Sequence, residues 1–321
     1  MTEVEERIHA ALARHPVERT ASGYRLAHPG GVGTSSLEFR ELARASEQQT
    51  AVAIAEVVAD YDPAGLPSLH AAGIQRLNAL AVYGAYDLHA GRLRQRAQFT
   101  LYTVESAAAL ATKLILDAFG AQLPLGRSVA LSIVSATALE QHRAHHAMPG
   151  DWPAPLEEQE LRATVAALQQ RGLVAANNAT VVWAELPLAG DCPSRAIDPK
   201  AQTALLEVHA GVLHPIAGAG YLAAISLPFP QRPTEPAELC RRLNAAEFEL
   251  ADFVPRLGAW GVQGVQDLPG YHCFLPCPRP FAGMHHALMW WCVQRAAWIR
   301  DRYWSMNDGF DFEHEAPAAS A

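Results

Sequence analysis

Arg76-Leu77-Asn78-Ala79 followed by Gly84-Ala85-Tyr86, and Arg242-Leu243-Asn244-Ala245 followed by Gly258-Ala259-Trp260, are the stretches on which the fold turns. In both copies the four-residue motif lies in a segment with helical apolar spacing, and the three-residue motif opens the extended run that follows. The distance between the motifs differs by eight residues between the copies, so the order of elements around them has to carry the case for a duplication.

Working outward from the first copy, Leu66, Leu69, Gly73, Ile74, Leu77 and Leu80 share one helical face, with Pro67 where a first turn tolerates it. Before this helix stand an amphipathic helix from Val4 to Ala13, ended by Pro16, and extended runs at Tyr24–Leu26, Leu37–Leu42 and Ala51–Val58. After it, Tyr83–Leu88 and Leu93–Tyr102 flank a hairpin connection at His89-Ala90-Gly91, and Val104–Phe119 is an alanine-rich helix. Around the second copy the order recurs. A helix at Glu157–Arg171, capped by Gly172, precedes strands at Val181–Leu186, Thr203–Val212 and Tyr221–Leu227. The central helix spans Glu235–Phe253, short strands follow at Leu257–Val262 and Tyr271–Leu275, and Met284–Tyr303 closes the module. The expectation is an α+β protein of two tandem α-β-β-β-α-β-β-α modules, with antiparallel sheets packed on helices. Residues 1–121 form the first and 157–305 the second, joined by a helical connection and a Pro/Gly linker over 122–156, with a flexible tail at 306–321.

Composition narrows the function classes. Half of the 321 residues are apolar or aromatic and 18% are charged, enough apolar material for packed cores and too little charge for a disordered chain. A net charge of −8 repels phosphate backbones, which argues against nucleic acid as a partner; Arg92, Arg94 and Arg96 read as the wet face of one strand. The acidic N-terminus lacks the pattern of an export signal, and the apolar runs near Leu114–Leu116 and Leu222–Leu227 are too short to cross a bilayer. Cys192, Cys240, Cys273, Cys277 and Cys292 are irregularly spaced, unlike a secreted disulfide framework, so reduced thiols in the cytoplasm are expected.

This order of elements resembles the type III secretion chaperone-like fold, the group that includes the YbjN-type proteins described as sensory transduction regulators. The resemblance spans about residues 1–120 and 157–305 and carries no catalytic residues. It implies a sheet packed on helices, with an exposed helix or sheet face serving dimerisation or binding a partner's extended segment. A tandem copy would imitate such a dimer within one polypeptide.

No motif fixes a reaction. His142, His145 and His146 have the i, i+3, i+4 spacing that brings imidazoles to one helical face, the alternatives being a metal site and a solvated linker helix. Cys273 and Cys277, beside His272, His285 and His286, are zinc-type ligands, but their C-x3-C spacing and flanking prolines favour buried thiols. Cys292 reads as core packing. Gly30-Gly31-Val32-Gly33-Thr34-Ser35-Ser36 lacks the lysine and following helix of a phosphate loop, and Gly218-Ala219-Gly220 precedes a strand instead of following one. No cofactor is expected. The aromatic surface is more suggestive. All seven tryptophans lie at or beyond Trp152, and Trp290, Trp291, Trp298, Tyr303 and Trp304 crowd the last helix and its end. Trp291 and Trp298 share an inward face with Leu288. Trp290, Tyr303 and Trp304 either pack against the other repeat or anchor a second protein chain or another copy of this one, and Phe310 and Phe312 lie in a tail that either docks in trans or is a frayed end. The leading expectation is a protein-interaction module, chaperone-like or regulatory. The alternative is a metal-binding protein or enzyme using the His142 cluster or the Cys273/Cys277 region.

Overall fold

A computed structural model describes residues 2–42, 51–63, 66, 71–102, 108–134, 158–188, 203–228, 235–249, 255–263, 268–277, 282–305 and 309–310. The first half begins with α1 (Glu3–Leu12), whose Thr2 and Glu5 form a capping box and whose Val4, Ile8 and Leu12 are buried. Strands β1 (Glu18–Arg19), β2 (Gly23–Ala27), β3 (Gly33–Glu41) and β4 (Ala51–Tyr61) follow, then α2 (Ala71–Ala79), β5 (Ala85–His89), β6 (Arg92–Tyr102) and α3 (Ala108–Val134). The second half gives α4 (Glu158–Gln170), β7 (Val174–Asn177), β8 (Val181–Pro187), β9 (Thr203–His214), β10 (Gly218–Ser226), α5 (Pro236–Glu249), β11 (Ala259–Gln263), β12 (Leu268–Pro276) and α6 (Met284–Tyr303). A short ribbon of β13 (Trp304–Ser305) and β14 (Gly309–Phe310) ends the described chain.

The two six-stranded sheets have the same order, β1-β2-β3-β4-β6-β5 and β7-β8-β9-β10-β12-β11, and every pairing is antiparallel. The fold is therefore α+β, and its halves correspond strand for strand. The expected order is corrected in one respect: four strands, not three, precede each central helix. The extra ones escape a pattern search because β1 is two exposed polar residues and β7 is four residues of mostly small side chains.

A second correction concerns α3. The helix expected to stop at Phe119 runs to Val134, into the segment assigned to the connection. Pro124 removes an amide that would bond to Gly120, but Leu123, Val129 and Ala130 keep burying apolar surface beyond it, and that burial holds the helix together. By length and composition α3 is long and apolar enough to cross a membrane, against the expectation of no such segment. Here it lies across β3, β4 and β6 with Leu114, Ile115, Ala118 and Phe119 buried. In the same way α6 covers β8, β9 and β10. The opposite side of each sheet near β5 and β11 meets the other half: α2 packs on β11 and α5, and α5 reaches β5. The main core runs unbroken through both halves, joining Leu37, Phe99 and Val82 to Phe274, Trp260 and Ile299.

Candidate functional site

The repeated motifs meet in space. Asn78 at the end of α2 donates to the carbonyl of Tyr86 (3.1 Å) and accepts from its amide (2.7 Å). Asn244 on α5 does the same to Trp260, at 2.9 and 2.8 Å. Each asparagine is buried and clips the first turn of the following strand to the central helix. The glycines of the second motif are equivalent as well. A β-carbon on Gly84 would fall 2.0 Å from the carbonyl oxygen of Arg96, and one on Gly258 would fall 2.0 Å from that of His272. The eight extra residues of the second copy lie between Asn244 and Gly258 and leave the clip itself unchanged.

These clips set the seam between the halves. The backbones of Gln98 and Arg256 exchange two hydrogen bonds across it, at 2.9 and 2.8 Å. Equivalent positions two residues before the glycines, Val82 and Arg256, meet equivalent strand positions in the opposite half, Phe274 and Gln98, but in different senses: the Val82–Phe274 bridge is parallel and the Arg256–Gln98 bridge antiparallel. Gly84 N donates to Leu257 O at 2.8 Å, and His214 Nε2 bonds the carbonyl of Leu80 at 3.2 Å.

Two mirror-related sites result, and they are chemically unlike. The first is a recess lined by Ala85, Arg96, Gln98, Asn244, Glu247, Arg256 and Gly258, with about 270 Å³ of empty space partly open to solvent. Arg96 pairs with Glu56, and Arg256 Nη1 lies 3.3 Å from Gln98 Oε1. Behind it, Glu247 pairs with Arg295 and accepts from Trp260 Nε1 at 2.6 Å. The Arg295 guanidinium stands 4.7 Å over the ring of Tyr271 and 4.5 Å over that of Trp298, and the Tyr271 hydroxyl spans the backbone of Gly258. At the second site strand register puts His272 where the first has Arg96, Phe274 for Gln98 and Val82 for Arg256; Ala81, three residues past Asn78, stands for Glu247. Val82, Ala81 and Phe274 are buried there, and His272, also buried, has its pKa lowered to about 4, chiefly by loss of solvent.

A second difference lies on the outer faces of the sheets, away from α3 and α6. In the second sheet, register aligns Val174, Glu185, Leu205 and Ser226 in one row, Ala176, Trp183, Glu207 and Ala224 in the next, and Val181, His209 and Leu222 in a third. Val174 is 58% and Leu205 36% exposed, with Trp183, Val181 and Leu222 half-buried. The equivalent rows of the first sheet read Ala27, Thr34 and Asp60; Glu18, Arg25, Ser36 and Val58; and Gly23, Glu38 and Glu56. One face is largely apolar and the other largely polar and charged.

The residues singled out from sequence fall elsewhere. Trp290 is half-buried against α4 of its own half, with the Arg171 guanidinium 4.4 Å from its ring centroid and His286 edge-on at 6.0 Å. Trp291 is buried and donates to Pro255 O at 3.2 Å, and Trp298 lies half-buried under Arg295. The backbones of Trp304 and Phe310 are paired in the terminal ribbon; the side chains of Tyr303, Trp304 and Phe310, and the whole of Phe312, lie outside the described part. His142, His145 and His146 lie outside it too. Cys273 and Cys277 are buried free thiols, as are Cys240 and Cys292, and burial pushes the Cys273 thiol up. Among the described residues no group of three or more His, Cys, Asp or Glu is placed to hold a metal ion. The arginine row is corrected. Arg92 is exposed, but Arg94 pairs with Asp87 at 3.2 Å and Arg96 is drawn into the seam. Sequence reading missed Gln98, Glu247, Arg256 and Arg295, although laying the repeats over one another at Gly84 and Gly258 exposes the swap of Val82 for Arg256. Compared with known protein families, curated proteins and solved structures, the chain matches none, so its own geometry is the guide to what it does.

Proposed function

We propose that the chain is a protein-interaction module, chaperone-like or regulatory, in which two type III secretion chaperone-like modules are joined as a covalent pair. It holds an extended segment of a partner protein on the outer face of its second sheet. The observation that carries this reading is the apolar patch of Val174, Val181, Trp183, Leu205 and Leu222, set against the polar face that the first half presents at the same positions. The adjoining strand β7 is the sheet edge, four residues long where its counterpart β1 has two, and offers a strand-addition site beside the patch. Glu185 and Glu207 lie in the same rows, which suits a segment alternating apolar with basic side chains. Among the described residues, Cys240, Cys273, Cys277 and Cys292 are buried and outside any disulfide, which supports a reducing, cytoplasmic setting.

The test is a pull-down from host lysate with Trp183→Asp/Leu205→Lys and Trp290→Ala variants alongside the parent, followed by cross-linking of the captured protein. Cross-links on β7 to β9, lost with the Trp183/Leu205 variant, support the proposal. Capture that survives this variant and is lost with Trp290→Ala moves the site to α6 and overturns the sheet-face assignment. Light scattering separates self-association from capture of another protein.

A further inference from the structure

We infer that Gln169 is a latch on the edge of β7: its side-chain amide holds a backbone carbonyl that an added strand would take, so the partner's segment has to displace it. This rests on the strand-addition reading of β7 above and names the residue that controls it. Strand pairing fixes which backbone groups are at issue. The amide of Asn178 donates to Val181 O at 2.9 Å, so residue 178 turns its backbone towards β8, and in an antiparallel pair such positions alternate. Val174 and Ala176 therefore face β8 as well, while Ala175 and Asn177 turn their N–H and C=O the other way, to the side where the sheet ends. The far side of β8 agrees. Thr180 O accepts from Ala210 N at 2.8 Å, which sets the even positions of that strand towards β9 and the odd ones towards β7.

Gln169 Nε2 donates to Ala175 O at 2.9 Å. That carbonyl is one of the outward groups, and the amide stands in for the N–H that an incoming strand would bring from its own main chain. A short connection brings the two together. α4 ends at Gln170 and β7 begins at Val174; Gly172, with φ of 79°, lets the amides of Gly172 and Leu173 return to the carbonyls of Gln169 (2.9 Å) and Leu168 (3.2 Å). Leu168 is buried and anchors this turn, whereas Gln169 is exposed and can swing away without disturbing the core. In the first half Ala13 follows Leu12, the last buried residue of α1, as Gln169 follows Leu168, and it has no side-chain amide to offer. The longer of the two edge strands is the one that carries a latch, which suits an edge that must be kept from indiscriminate pairing and still be opened.

The experiment is fluorescence anisotropy of a labelled, capped hexapeptide alternating valine and lysine, titrated with the full chain and with its Gln169→Ala and Asn177→Pro variants. Removing a hydrogen bond that binding has to break should tighten Gln169→Ala about two- to tenfold over the parent, with little change in urea midpoint. A purely structural role for Gln169 predicts unchanged or weaker binding. Asn177→Pro deletes an outward amide and no ladder bond, and should abolish binding in a chain that circular dichroism shows to be folded. Hydrogen exchange gives the same reading without that variant: bound peptide should slow the amides of Ala175 and Asn177. Equal or weaker affinity in Gln169→Ala, with those amides protected, overturns the latch and leaves strand addition standing. Failure of every chain to bind, or binding that leaves those amides unprotected, overturns strand addition and the latch together.

Discussion

At one end of the seam a helix, a clip and a crossing strand close over valine, alanine, phenylalanine and a buried histidine. At the other the same parts close over three arginines and two glutamates. The comparison separates what the architecture needs from what it merely permits. The asparagine clip and the tight glycine are needed, since both sites have them. The charges are not needed for closure. They line the recess of the first site.

The sharpest way to break this comparison is to remove one charge at a time. Glu247→Leu leaves the fully buried Arg295 without its carboxylate and is expected to cost about 3–5 kcal/mol, whereas Glu247→Leu/Arg295→Met should recover most of that loss. Urea unfolding of the three chains decides it, and equal stability of single and double variants would mean the pair is not coupled. Next in size, Asn78→Ala and Asn244→Ala each strand a buried amide and a buried carbonyl, an expected cost of about 2–4 kcal/mol apiece. If the clip is the shared element, the two values should agree within about 1 kcal/mol; a large inequality would make it a feature of one half.

Acid provides a third probe. His214, His272 and His285 are buried, and loss of solvent lowers each pKa to about 4. Between the ordinary histidine value and pH 4 the unfolded chain binds protons that the folded chain does not. Stability is thus fully present above about pH 6.5, falls as the pH drops towards 4 and levels off for these groups below it, losing at most about 1.4 kcal/mol per histidine per pH unit. Two of the three, His214 and His272, border the apolar site. Urea titrations at pH 7.5 and 5 should show the loss, and His272→Phe should shrink it if the imidazole fits there as a neutral ring. The smallest expected effect lies away from the seam: Arg171→Ala should cost about 0.5–1 kcal/mol through its stacking on Trp290, read as a shift in urea midpoint.

The repeat was legible because the residues that recur are those with a backbone to satisfy. Asn78 and Asn244 bond main-chain groups, and any replacement would orphan them, so identity persisted where shape alone would have drifted. Strands such as β3 show through their alternation, whereas β1 and β7 have too few residues to alternate. The extent of α3 was hidden by Pro124, a local signal outweighed by burial of Leu123 and Val129. The recess could not be read directly. Arg96 and Arg256 lie far apart in the chain, and only the pairing of Gln98 with Arg256 brings them together. Nor could Trp290 be placed from helical spacing alone, since the partner covering it comes from α4.

The two halves share one chain, and this changes how the seam behaves in solution. In a pair of separate subunits such a contact would loosen on dilution; here α2 and α5 meet at a strength independent of protein concentration. Inheritance is altered too. In a symmetric dimer every mutation is written twice, so an arginine gained at one end of the seam appears at the other. Joined end to end, two halves of like topology can carry different residues at equivalent positions, as Val82 and Arg256 do.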